Sequence, residues 1–196
     1  MRRVIENEDY YLTALNLKFC FLGADQCAML AGALKKNKTL VKLDLSNNAM
    51  KSFTSKFFCD AIKTNTHLTE INFSHNLLDD EFADQLSDVL RNNQVLYSVD
   101  ISMNPIGPTG ARNLLDTLYE YNDTLGNLGD LSDSYYMGVR IRQDIKQAIE
   151  LNNSSHDKKK AFIEQMMANT RRKNVDQAQT SNPLKADEEK DVPLSV

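Results

Sequence analysis

The stretches LTALNLKFC (12–20), LVKLDLSNN (40–48), LTEINFSHN (68–76) and LYSVDISMN (96–104) begin 28 residues apart, and this period constrains the fold more than any other feature. The first column runs Leu12, Leu40, Leu68, Leu96 and, one residue late, Leu125. The next columns are Leu15, Leu43, Ile71, Val99 and Leu17, Leu45, Phe73, Ile101. Further along each unit come Leu30/Leu34, Phe58/Ile62, Leu86/Leu90 and Leu114/Leu118, four residues apart, as one face of a helix requires. Each unit therefore reads as a short strand, a turn and a helix of about three turns.

The spacing LxxLxLxxN with a full helix resembles the leucine-rich repeat family, in its ribonuclease-inhibitor-like class, over roughly residues 12–130. The resemblance implies a right-handed α/β solenoid. Parallel strands stack about 4.8 Å apart while helices need about 10 Å between axes, so the strands line the concave face of an arc and the helices the convex face. In size the chain is similar to the short repeat domains of tropomodulin-like actin-filament cappers and to repeat subunits of cilia.

In that family the asparagine of each unit stacks with its counterparts, here Asn48, Asn76 and Asn104, with Cys20 in the first repeat. An amide carries both donors and an acceptor, which suits a structural ladder satisfying backbone groups at the turn. A second column, Asn37, Asn65, Asn93 and Asn122, stands where each helix must end, and the expected role is a left-handed C-cap.

Strand residues between the leucines should face away from the core: Thr13/Ala14/Asn16/Lys18, Val41/Lys42/Asp44/Ser46, Thr69/Glu70/Asn72/Ser74 and Tyr97/Ser98/Asp100/Ser102. From these, Asn16, Lys18, Lys42, Asp44, Glu70, Asn72, Ser98 and Asp100 are expected to bind a protein partner, since solenoids commonly bind along this surface. The competing reading is a plain solvated sheet face. The first strand offers a second candidate, an edge with Leu12, Leu15 and Leu17 near the surface that docks on a partner or a second copy. Its rival is that residues 1–11 fold over that edge.

The expected organisation is an N-terminal lead (1–11), a solenoid with C-terminal cap (12–152), a basic amphipathic helix (153–173) and a disordered acidic tail (174–196). In the cap, Ile141, Ile145, Ala148 and Ile149 form one stripe. The basic segment sets Phe162, Ile163, Met166 and Met167 among Lys158, Lys159, Lys160, Arg171, Arg172 and Lys173.

Chemistry is hard to find in this chain. Cys20, Cys27 and Cys59 are odd in number and lack CxxC spacing, so buried reduced thiols are expected rather than disulfides or a metal site. His67, His75 and His156 stand at no metal or triad spacing, and no glycine-rich phosphate loop is present. No catalytic residue, cofactor or metal is expected. With a net charge of −4, a basic footprint for nucleic acid is lacking, and no run approaches the ~18 apolar residues of a membrane span. The expectation is a non-catalytic interaction scaffold, cytoplasmic, with a cytoskeletal or ciliary refinement by analogy. The alternatives are a GTPase-activating regulator using Arg91 or Arg112, and a fragment of a larger repeat-containing sensor.

Overall fold

The computed structural model describes residues 12–154. The lead, the tail, His156 and all of the basic segment except Asn153 and Ser154 lie outside the described residues. Four three-residue strands, β1 (Ala14–Asn16), β2 (Lys42–Asp44), β3 (Glu70–Asn72) and β4 (Ser98–Asp100), pair in parallel in the order β1-β2-β3-β4. Their register is that of the repeat: Leu15, Leu43, Ile71 and Val99 lie side by side. Helices α1 (Ala24–Leu34), α2 (Ser52–Ile62), α3 (Asp80–Leu90) and α4 (Pro108–Glu120) each follow a strand. The expected α/β solenoid is the observed fold.

Periodicity accounts for the core. Leu40, Leu68 and Leu96 are buried, as are Leu45, Phe73 and Ile101 from the strand ends and Leu34, Ile62, Leu90 and Leu118 from the helices. In the middle repeats the rings of Phe58, Phe73 and Phe82 meet edge to face, with centroids 6.4 and 5.2 Å apart, a geometry aromatic pairs favour. Helix α3 starts where Asp79 accepts the Glu81 N–H, and α4 where Pro108 supplies a preset φ.

Two columns of asparagine tie the repeats together. Asn76 Oδ1 accepts the N–H groups of Asn48 and Met50, while its Nδ2 donates to Leu45, Phe73 and Ser74 carbonyls. Asn48 makes the corresponding bonds one repeat before, and Asn104 one repeat after makes the same three donations and accepts the Leu78 N–H. The second column is no left-handed cap. Asn65 Oδ1 accepts from His67 and Leu68 N–H, and its Nδ2 donates to Leu34 and Asn37 carbonyls of the preceding repeat. Asn93 and Asn122 repeat this pattern, and Asn152 extends it into the last helix. The left-handed positions are instead Phe19, Asn47, His75 and Met103, each just before the ladder position, together with Phe21 and Ala49.

The pattern fades after Leu125. A remnant of a fifth strand pairs Asn127 with Ser98, and Val99 and Ile101 N–H bond the carbonyls of Asn127 and Leu128. A 3-10 turn (Tyr135–Met137) then buries Met137, which the repeat gave no reason to expect. Helix α5 (Val139–Asn152) follows, with Ile145 and Ala148 buried and Ile141 and Ile149 half-buried against the same core. Among the described residues, no helix is long and apolar enough to cross a membrane.

Candidate functional site

The strands present a groove of about 400 Å³ lined by Asn16, Lys42, Asp44, Glu70, Asn72, Ser98 and Asp100, with Ala14, Leu15 and Asn127 beside them. Seven of the eight residues read from the sequence as a binding face therefore come together. The eighth, Lys18, lies past the strand end, its ammonium 5.2 Å from the centroid of the Phe19 ring.

The middle column has a structural duty as well. Asn16, Asp44, Asn72 and Asp100 each use Oδ1 to accept the N–H two residues on, at 2.9, 2.9, 2.8 and 3.0 Å, closing an Asx turn where the strand ends. These turns tuck Ser46 and Ser74 into the protein, and both are buried, contrary to the expectation that they face outward. Ser102 is half-buried, and its hydroxyl also donates to Asp100.

The ion pair of the groove lies two residues earlier in β2 and β3. Lys42 Nζ and Glu70 Oε2 pair at 2.9 Å, both partly exposed, so the pair contributes little to stability and is available to a partner. Asn127 Nδ2 donates to Ser98 Oγ, which sets the far end of the groove.

The edge candidate is narrower than expected. Leu17 is only 3% exposed and belongs to the core, because its N–H and C=O are held by Asp44 O and Asn48 Nδ2 and its side chain completes the column of Leu45 and Phe73. Leu12 and Leu15 are half-buried against the core.

Cysteine chemistry divides in two. Burial pushes the Cys27 thiol up to about 11; burial and, secondarily, Asp60 push the Cys59 thiol up to about 12. Cys20 is exposed, correcting the expectation that all three are buried, because it stands at the ladder position of the first repeat.

The arginines considered for catalysis are not poised over the groove. Arg91 caps α3, lies 3.7 Å from Asp88 and stacks 5.4 Å from the Tyr121 ring centroid. Arg112 is in α4. Among the described residues, no group of three or more His, Cys, Asp or Glu is placed to hold a metal.

Sequence reasoning missed a group of exposed apolar residues. Phe19 and Phe21 are 61% and 84% exposed on the loop after β1, and Phe53 and Leu77 are exposed further along the same rim. All four lie off the leucine columns, and that offset was the available signal.

A parallel sheet with one helix per 28-residue unit, pinned by two asparagine ladders, defines the solenoid class. The pattern described as "Leucine Rich repeat" matches residues 36–52, 64–81 and 92–115. These three segments are similar to leucine-rich repeats, and the fold is that of a leucine-rich repeat solenoid. No curated protein matches the sequence. Among solved structures, the chain is similar to "Leiomodin-1 Actin-Binding Site 2 (ABS2)", with a TM-score of 0.68 at 17% identity, over 92% of this chain and 94% of that one. It is also similar to the tropomodulin C-terminal domain of Caenorhabditis elegans, with a TM-score of 0.67 at 18% identity, over 78% of this chain and 90% of that one.

Proposed function

We propose that this chain is a non-catalytic protein-interaction scaffold of the cytoskeleton that takes a segment of a protein partner along the groove of β1 to β4. The observation that carries the reading is the groove itself. Polar side chains from all four strands line it alongside Leu15, Leu43 and Ile71, its Lys42–Glu70 ion pair is exchangeable, and Asp44 and Asp100 each have a second carboxylate oxygen free of the Asx turn. Such a surface recognises by hydrogen bonding and charge along an extended contact, as solenoids do. The half-buried Leu12 and Leu15 at the β1 edge are a second, smaller contact. Support for the cytoskeletal setting comes from the fold shared with a domain named as an actin-binding site, which makes actin the first partner to test.

The experiment is sedimentation of the full chain with filamentous and monomeric actin, comparing wild type with a Glu70→Arg/Ser98→Arg double variant. Neither position carries an Asx turn, and an unchanged urea denaturation midpoint establishes that the variant folds. Binding by wild type that the variant loses supports the whole reading. Binding retained by the variant takes the contact off the groove, and no binding by either removes actin as the partner.

A further inference from the structure

The loop rim of the first two repeats carries aromatic side chains for which the core has no use. Phe19 and Phe21 hold φ of +56 and +50, a region costly for a bulky side chain. In later repeats the Phe19 column holds Asn47 and His75, types that tolerate this conformation better, before Met103. The Phe21 column continues through Ala49 to Leu77, which is half exposed, and Phe53 stands 59% exposed in the first turn of α2. None of these four side chains belongs to the core cluster.

Charge along the rim changes with the apolar character. Lys18 and Lys51 flank the aromatic part, with Asp25 the carboxylate of the first turn of α1. From the third repeat the rim turns acidic at Asp79, Asp80 and Glu81. Two of these carboxylates are engaged in repeat-to-repeat contacts, Asp79 with Ser52 Oγ and Asp80 with the Gly107 N–H. Lys18 and Lys51 are not consumed in that way. Lys18 lies against one aromatic ring, and Lys51 is exposed.

We propose that this rim, centred on Phe19 and Phe21 and flanked by Lys18 and Lys51, docks a segment of a protein partner that carries apolar side chains flanked by carboxylates. The apolar side chains cover the two rings, and the carboxylates meet the two ammonium groups. Aromatic anchors beside complementary charge are the usual composition of an interface hot spot. The surface is separate from the groove and does not depend on it.

The test is selection from a random peptide library displayed on phage, with the full chain as bait. The comparison baits are Phe19→Asn/Phe21→Ala, which places better-tolerated side chains at the same φ, and Lys18→Glu/Lys51→Glu. Urea denaturation midpoints at or above that of wild type establish that the variants fold. An apolar and acidic consensus is expected with wild type, with affinity weakened about tenfold or more for the aromatic variant, and basic residues replacing acidic ones with the charge variant. A basic or neutral consensus from wild type overturns the proposal. So does a consensus bound equally by the aromatic variant, or no enrichment at all.

Discussion

Replacing Asn76 by alanine tests how the repeats are held together. Its Oδ1 accepts from the N–H groups of Asn48 at 3.0 Å and Met50 at 2.9 Å, both in buried residues. Its Nδ2 donates to Leu45, Phe73 and Ser74 carbonyls, but each of these keeps another donor: Asn48 Nδ2, Asn104 Nδ2 and the Asn47 N–H, respectively. The loss therefore falls on two N–H groups. A buried donor left unpaired costs about 1–3 kcal/mol, which gives about 2–6 kcal/mol for Asn76→Ala. That is a large share of the ~5–15 kcal/mol by which domains are stable. Asn48→Ala is the control. It frees the N–H groups of Cys20 and Leu22, which are exposed and half-buried, so water can replace the amide there. Apart from the Leu17 carbonyl little is orphaned, and the expected cost is about 1–3 kcal/mol. Urea denaturation followed by circular dichroism reads both, provided the m-value is unchanged. A cost below about 1 kcal/mol for Asn76→Ala, or equal costs for the two variants, would refute the assignment of stability to the buried N–H groups.

Gly129 holds φ +82 against Asp100, and a Cβ there would fall on Asp100 Oδ1. Gly129→Ala should therefore cost about 2 kcal/mol or more and speed hydrogen exchange at Val99 and Ile101, whose partners are in the fifth-strand remnant. Under native conditions a thiol reagent should label only Cys20, with Cys27 and Cys59 reacting after denaturant is added; fast labelling of Cys59 in the folded chain would contradict its burial. Asp116 has its carboxyl raised by desolvation and then by Glu120, against a lowering by Arg112. Because the folded value lies above the unfolded one, the ionised group disfavours the fold above both, and the effect vanishes below the unfolded value of about 3.9. Asp116→Asn should accordingly raise the melting temperature at neutral pH and leave it unchanged in strong acid. A variant that lowers it at neutral pH would reverse the sign of this argument.

The core was legible because burial leaves a mark on residue type, and 28-residue columns of Leu, Ile and Phe repeat that mark four times. Hydrogen-bond geometry leaves a weaker one. Asn65 and Asn93 stand out in the sequence at their correct place, yet an asparagine that bonds two N–H groups looks the same as one that adopts a left-handed φ. Ser46 and Ser74 continue the alternation of a strand that has already ended at Asp44 and Asn72, so the pattern points them outward where the Asx turn folds them in. Met137 had no counterpart in a neighbouring repeat and carried no columnar signal. Phe19 and Phe21 lie outside the leucine columns, and the register places them at the positions of Asn47 and Ala49.

The small polar column of the groove now has two explanations that can be separated. Closing the turn needs a side-chain oxygen two residues before an N–H, and Asn and Asp supply it equally well, which accounts for every member from Asn16 to Asp100 being one or the other. The turn does not account for the alternation of amide and carboxylate, because Oδ1 does the same work in both. The charges at Asp44 and Asp100 are thus free of the demands of the fold, as is the Lys42–Glu70 pair, whereas the residue size at these turns is not. Under the proposed function, recognition in this groove would be tunable by charge at fixed shape, and a partner would be discriminated by where its own charges fall along the strands rather than by the bulk of its side chains.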